Sequence, residues 1–238
     1  MKRQLAIYIH IPFCVKKCLY CDFLSDKANA EEQREYIDAL LKEIEYYALD
    51  DADFNGQYET CTVFFGGGTP SIVKPEVIGE LIGAVRERFS FSENPEITIE
   101  CNPGTATKEK LEAWRKLGVN RISIGLQSAN DEELRVLSRL HDYRTFLKTY
   151  EMVRNEGFRN VNIDIMSALP GQDKASYMRT LEKVVELNPE HISAYSLIIE
   201  EGTIEGLKII EEQTMPTEEI PITKEANVHL LMQKESQQ

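Results

Sequence analysis

The chain has 238 residues, of which 42% are hydrophobic and 28% are charged, and this composition is typical of a soluble globular protein with a buried core. No apolar run long enough to span a bilayer and no leader-like segment is present, so we expect a cytoplasmic protein, and the sequence does not indicate membrane association. The formal net charge of −13 would repel nucleic-acid phosphates and anionic lipid headgroups, so no nucleic-acid partner is expected.

Short β-branched segments alternate with longer segments of helical periodicity along the chain. The predicted strands are residues 5–10, 60–65, 96–100, 121–124, 160–165 and 191–198. The predicted helices are residues 31–47, 75–88, 108–116, 131–137, 143–155 and 174–186. Strands separated by helices indicate right-handed βαβ crossovers. The expected fold class is therefore α/β with a parallel sheet, either open and doubly wound or curved into a complete or partial barrel.

Several predicted strands alternate apolar with polar side chains, whereas buried parallel strands are usually apolar on both faces. In the third strand, Ile97 and Ile99 lie opposite Glu96, Thr98 and Glu100. If the isoleucines pack under the helices, the polar side chains converge on the interior near the C-terminal strand ends, where α/β barrels keep their sites: Tyr8, Glu100, Gln127 and Asp164. The pattern predicts a wide barrel with a hydrated or ligand-filled interior. The alternative is an antiparallel sheet with one solvated face.

Three of the five cysteines lie within eight residues, directly after the first predicted strand. Cys14, Cys18 and Cys21 have the spacing CxxxCxxC, which differs from the paired CxxC of structural zinc sites. Three thiolates can hold three irons of a [4Fe-4S] cube and leave the fourth iron open to another ligand. The alternatives are a Cys3His zinc site completed by His10, or three buried thiols without a metal. The other two cysteines are expected to be small core residues: Cys61 and Cys101.

The cysteine segment and several others resemble one enzyme family. CVKKCLYC, residues 14–21, matches the cysteine motif of radical S-adenosylmethionine (SAM) enzymes. The segments YIHIPFC, FFGGGTP, ITIECNP, ISIGLQS and NIDIMSALPGQ resemble the oxygen-independent coproporphyrinogen III oxidase group of that family, which includes the HemW-type haem chaperones. The resemblance covers residues 5–203, in order and at compatible spacing.

This resemblance implies a partial (β/α)6 TIM barrel of the radical SAM type, formed by residues 1–203, that binds a [4Fe-4S] cluster and SAM. The metal ligands that it implies are Cys14, Cys18 and Cys21. The contacts that it implies near SAM and the cluster are Tyr8, Tyr20, Gly67, Gly68, Thr69 and Glu100. Three further residues match contacts to a second SAM in the oxidase: Gln127, Arg139 and Asp164. His10 is a candidate contact to haem or substrate.

Ordinary structural roles are the alternatives for several of these residues. Tyr8 and Tyr20 would then be core aromatics, and the glycines would form a tight strand-to-helix turn. Arg139 would form a surface ion pair with Asp142 or a helix carboxylate. His10 would be a hydrogen-bonded structural histidine.

The resemblance implies a shared reductive chemistry, in which an electron entering the cluster cleaves SAM into methionine and a 5′-deoxyadenosyl radical. In the oxidase, this radical leads to decarboxylation of substrate propionates to vinyl groups. In the chaperone branch, the protein binds haem and transfers it to an acceptor. Two departures favour the haem chaperone: Phe23 stands where the oxidase has a fourth cysteine, and the N-terminal extension of the oxidases is almost absent.

The implied partners are haem or a porphyrinogen, a haem-acceptor protein, and a reduced flavodoxin or ferredoxin-type electron donor. Family members continue beyond the Glu-Gly-Thr segment into a C-terminal domain. Residues 204–238 are instead expected to be a short, divergent polar tail interrupted by Pro216 and Pro221. A third expectation is therefore an inactive cluster-bearing fragment.

Overall fold

The computed structural model describes residues 2–49 and 57–198, in which strands and helices alternate in the predicted order. The strands are β1 (Arg3–Ile11), β2 (Tyr58–Gly67), β3 (Phe91–Cys101), β4 (Arg121–Gln127), β5 (Asn160–Ser167) and β6 (His191–Ser196). The helices are α1 (Ala30–Leu49), α2 (Pro75–Arg88), α3 (Lys108–Lys116), α4 (Asp131–Val136), α5 (Tyr143–Asn155) and α6 (Lys174–Glu186). A 3₁₀ turn at Pro70–Ile72 precedes α2. The predicted tail at residues 204–238 lies outside the described residues.

The strands form one six-stranded sheet in chain order, from β1 to β6. β1 pairs in parallel with β2, β2 with β3, and β5 with β6. In the first pair, Tyr8 lies opposite Phe64 and His10 lies opposite Gly66. Parallel neighbours need a crossover connection, which the intervening helices supply. The predicted parallel α/β sheet is thus confirmed, and the antiparallel alternative is wrong.

The described chain divides into two compact units. The first unit contains β1 to β3 with α1 to α3, and its fully buried side chains include Phe65, Ile97, Ile99 and Trp114. The second unit contains most of β4, together with β5, β6 and α4 to α6. Its core is built from the strand isoleucines and from aromatic side chains such as Phe146. The isoleucine faces of the strands are therefore buried, as their alternation predicts.

The opposite strand faces are only partly solvated. Tyr8 is 58% exposed, but three polar residues of these faces are buried and hydrogen-bonded. They are Thr98 in β3, Ser123 in β4 and Asn162 in β5. At these positions the polar groups form hydrogen bonds with side chains of the same strand or of a neighbouring strand.

Short polar residues start the helices at the predicted positions. In each of four helices, the side chain of the residue before the helix accepts a backbone N–H of the first turn. These residues are Thr107 for α3, Asn130 for α4, Asp142 for α5 and Asp173 for α6. This capping satisfies donors that a helix start leaves without intrahelical partners. Within residues 2–49 and 57–198, no helix is both long enough and apolar enough to cross a membrane.

Candidate functional site

Cys14 is held beside the glycine segment that ends β2. Its backbone N–H donates to the carbonyl of Asp26 at 2.9 Å, and Asp26 N–H donates to the carbonyl of Pro12 at 2.9 Å. The N–H of Thr69 donates to the carbonyl of Phe13 at 2.8 Å, and the Thr69 hydroxyl lies 3.6 Å from Cys14 Sγ. The structure therefore brings together two predicted site residues, Cys14 and Thr69, that are 55 positions apart.

The glycines make room for the protein's own side chains. Gly67 has φ +116°, which favours glycine, and an added Cβ there would lie 2.6 Å from the ring of His10. A Cβ on Gly68 would lie 2.8 Å from the carbonyl oxygen of Phe13 and 3.1 Å from Cys14 Sγ. The segment is thus more than a tight turn, because its missing side chains allow β1 and the cysteine loop to approach.

Glu100, at the end of β3, bonds directly to this segment. Its Oε2 accepts the N–H of Gly67 at 3.1 Å. A carboxylate offers about four lone-pair sites, and the bond from Gly67 uses one of them and orients the group. Two of the predicted SAM contacts, Gly67 and Glu100, are therefore neighbours.

Tyr8 and His10 form a hydrogen-bonded pair on β1. The Tyr8 hydroxyl lies 3.2 Å from His10 Nδ1, and His10 Nε2 lies 2.9 Å from the carbonyl oxygen of Leu24. The carbonyl can only accept, so Nε2 carries the proton and Nδ1 accepts from Tyr8. Partial burial and the nearby Glu100 carboxylate raise the pKa of Tyr8, which keeps its hydroxyl protonated as a donor. Both ring nitrogens of His10 are thus engaged, as the structural-histidine alternative expects.

The second half of the cysteine loop is a hydrogen-bonded turn. Cys21 N–H donates to the carbonyl of Cys18 at 3.1 Å, and Leu19 N–H donates to the hydroxyl of Ser138 at 3.0 Å. Tyr20 packs against an apolar cluster formed by Leu137, Met166 and Leu169. Burial raises the pKa of Tyr20, although the charge of Arg139 opposes this shift. Tyr20 is therefore a neutral, packed aromatic at neutral pH.

Arg139 lies against Cys18 and two neutral oxygens. Nη2 donates to Asn102 Oδ1 at 2.6 Å and to the carbonyl of Gly125 at 2.9 Å, while Nη1 donates to Cys18 Sγ at 3.7 Å. The suggested partner Asp142 instead caps α5. The surface ion-pair alternative for Arg139 is therefore wrong.

Gln127 and Asp164 both form hydrogen bonds with side chains of the second unit. Gln127 has φ 72° at the end of β4, is buried, and accepts the hydroxyl of Tyr195 at 2.8 Å. Asp164 accepts the hydroxyl of Ser123 at 3.0 Å and the amide of Asn162 at 2.8 Å. These two bonds offset much of the cost of placing a carboxylate on a strand.

Some residues of these networks were not predicted from the sequence. Asn102 lies within the ITIECNP segment, but nothing in its spacing singles it out as the partner of Arg139. His141 is buried and lies 3.2 Å from the carbonyl of Leu126 through Nε2. Burial and the charge of Arg139 lower the pKa of His141 to about 4, so it is neutral at pH 7.

A sequence profile of the Radical SAM superfamily matches residues 8–184. This chain belongs to the radical SAM superfamily. It is 38% identical over 203 residues to the haem chaperone HemW of Escherichia coli (strain K12), an alignment that covers 85% of this chain and 53% of the relative. It is 34% identical over 200 residues to the haem chaperone HemW of Bacillus subtilis (strain 168), covering 84% of this chain and 52% of the relative.

A solved structure supports the same fold. The coproporphyrinogen III oxidase HemN from Escherichia coli, described as a radical SAM enzyme, superposes with a TM-score of 0.81 at 32% identity and covers 91% of this chain and 49% of its own. The predicted partial radical SAM barrel fold is confirmed by this match. The chain spans about half the length of the curated relatives that it matches.

Radical SAM proteins bind a [4Fe-4S] cluster and SAM, and the donor set of this chain suits both. Cys14, Cys18 and Cys21 form no disulfide and are of intermediate burial. In a [4Fe-4S] cube each cysteine binds a different iron, whereas the ligands of a single metal ion all bind the same atom. In the part of the chain that the structure describes, no three ligating side chains surround one point as a single metal ion needs.

Proposed function

We propose that this chain is the radical SAM portion of a HemW-type haem chaperone, which binds haem and transfers it to an acceptor protein. The observation that carries this choice is Phe23, which is 66% exposed two positions after Cys21. The oxidase pattern would place a fourth cysteine there. The 38% identity to a HemW protein supports the same choice.

In this proposal the cluster would be held by Cys14, Cys18 and Cys21, which would leave one iron position for SAM. When bound, the reduced cluster and SAM together supply one-electron cleavage of a carbon–sulfur bond. The chain's own contribution is to hold the cysteine loop and to orient polar groups. The backbone beside Cys14 is formed by Gly67, Gly68 and Thr69. Glu100, which bonds to this segment, is the proposed acceptor for the ribose hydroxyls or the ammonium group of SAM.

The remaining predicted SAM contacts fall into two groups. The aromatic contacts proposed near SAM and the cluster are Tyr8, which stacks on Phe64, and Tyr20, which packs against an apolar cluster. Gln127, Arg139 and Asp164 are the candidate contacts for a second SAM, although each already holds hydrogen bonds within the protein. We place the protein in the cytoplasm, with a flavodoxin or ferredoxin as the electron donor.

Haem titration of the anaerobically reconstituted protein, followed by absorbance, tests the chaperone proposal. We expect saturable haem binding and no conversion of coproporphyrinogen when SAM and dithionite are present. The His10→Gln variant should bind haem with a similar affinity, because both ring nitrogens of His10 already have partners. A large loss of affinity in this variant would instead make His10 a haem ligand.

The second candidate is the oxidase, which the structural similarity to HemN favours. Release of carbon dioxide and formation of vinyl groups from coproporphyrinogen would support the oxidase and contradict the chaperone proposal. A cluster-bearing protein that neither binds haem nor converts the porphyrinogen would be the inactive fragment.

A further inference from the structure

Two oxygen acceptors orient the guanidinium of Arg139, which also contacts Cys18. Ser138, immediately before it, has φ 56°, and the N–H of Arg139 donates to the carbonyl of Leu134 at 2.9 Å. This closes the end of α4 and directs the side chain towards Asn102 and the carbonyl of Gly125. Nη1 then lies 3.7 Å from Cys18 Sγ, within reach of a hydrogen bond to sulfur.

Gly125 leaves the space that this arrangement needs. A Cβ on Gly125 would lie 3.4 Å from Arg139 Nη2, 3.1 Å from Asn102 Oδ1 and 3.0 Å from Gln127 Nε2. The three polar side chains therefore meet over one glycine of β4. The guanidinium is held by packing as well as by hydrogen bonds, and its approach to Cys18 is not a freely rotating surface contact.

The charge of Arg139 needs an anionic partner, because burying a guanidinium among neutral groups is costly. Its oxygen acceptors here, an amide and a backbone carbonyl, are neutral. A Cys18 thiolate, the form that binds iron, supplies the missing negative charge.

We propose that Arg139 is a positioning residue that raises the reduction potential of the [4Fe-4S] cluster by donating an N–H to the sulfur of Cys18. This inference rests on the cluster of the proposed function. Reduction of a bound cube from the 2+ to the 1+ state would take one electron from an external donor and would add one negative charge. A fixed cation and an N–H···S bond both favour the more negative state, and hydrogen bonds to sulfur and net charge are known determinants of cluster potential.

This role differs from a contact to a second SAM. Nη2 donates to two protein oxygens and Nη1 donates to Cys18, so these three contacts form without SAM, while the buried Nε has no hydrogen-bond partner among residues 2–49 and 57–198. The residue therefore acts on the cluster through Cys18 whether or not SAM is present.

An EPR-monitored redox titration of the anaerobically reconstituted full chain without SAM tests the proposal. Dithionite and mediator dyes supply the electron. We expect Arg139→Gln to shift the midpoint potential to a more negative value and Arg139→Lys to shift it less, because lysine keeps the charge but loses the planar donor pair. The matched control is Arg135→Gln, which removes the same charge from an exposed residue of α4 that pairs with Glu132.

The control should keep the wild-type potential, because solvent and salt screen an exposed charge. An unchanged potential in both Arg139 variants, or an equal shift in Arg135→Gln, would overturn the inference. If Arg139→Gln holds no cube, Arg139→Lys decides: a more negative potential supports the inference and a wild-type potential overturns it. A wild-type protein without any cube would instead contradict the proposed function.

Discussion

Gly68 is the residue on which the position of Cys14 depends most directly. Its N–H donates to the carbonyl of Ile11 at 2.8 Å, and its Cα faces the backbone of Phe13. A methyl group at this position would meet main-chain atoms, which cannot rotate away as the end of a flexible side chain can. The cysteine loop would have to move.

We therefore predict that Gly68→Ala lowers both stability and iron content. The free energy of unfolding should fall by about 1–3 kcal/mol, the usual cost of overpacking, as measured by chemical denaturation. Iron bound per chain after anaerobic reconstitution should fall in parallel. The matched control is Gly83→Ala in α2, where a Cβ would meet nothing within 4 Å.

In that control, alanine should raise the free energy of unfolding by up to about 1 kcal/mol through its higher helix propensity, with iron content unchanged. Wild-type iron content in Gly68→Ala would show that the cysteine loop tolerates a side chain there, against this account.

Spacing singled out the three clustered cysteines, and the family resemblance supplied most of the other candidate site residues, but neither predicted the contacts that these residues make. The motif CxxxCxxC marks three cysteines, and the glycine segment ends β2 as expected. The partners of Arg139 lie 14, 37 and 121 positions away, and only the folded chain brings them together. The left-handed conformation of Gln127 is likewise a product of tertiary packing, since glutamine has no intrinsic preference for it.

At the scale of the elements, one buried carboxylate joins the loops that follow two strands. Glu133 of α4 accepts the hydroxyl of Ser128 at 2.6 Å and the amide of Gln172 at 2.8 Å. It also accepts the hydroxyl of Ser176 and, at 3.3 Å, the amide of Asn130. Ser128 and Gln172, which end the segments ISIGLQS and NIDIMSALPGQ, thus both bond to Glu133. These bonds hold α4 and α6 against the strand ends.

We predict that Glu133→Ala is strongly destabilising. Removing the carboxylate leaves several buried donors without an acceptor, and each costs about 1–3 kcal/mol, so the free energy of unfolding should fall by about 3 kcal/mol or more. Glu132→Ala is the control, because Glu132 is exposed and pairs with Arg135. Its effect should stay within about 1 kcal/mol.

Chemical denaturation of both variants measures the difference. Equal, small losses would mean that water or a repacked side chain replaces the carboxylate, and that the network does not hold the two loops.

The order of the elements follows from the sequence because the periodicity changes from two to 3.6 residues at each boundary. The ends of the strands were less predictable. β3 starts at Phe91, five residues before the predicted strand, and it runs through Pro95. Proline usually argues against a strand, but pairing with β2 at Thr60↔Phe91 overrides that local signal.

At the scale of the whole molecule, the central claim is that the three clustered cysteines hold a cube with one iron open to SAM. The family match, the reduced cysteines and the glycine segment beside Cys14 all support this claim. The matched relatives extend well beyond the region shared with this chain, so haem transfer is a proposal at this scale, while the cluster belongs to the shared region.

The most direct test is anaerobic iron and sulfide analysis combined with EPR of the reduced protein, before and after addition of SAM. We predict about four irons and four sulfides per chain and a spectrum that changes when SAM binds the open iron. Cys18→Ser should lose the cluster, whereas Cys61→Ser should keep it. A protein that contains zinc or no cube, or a cube whose spectrum SAM leaves unchanged, would contradict the account.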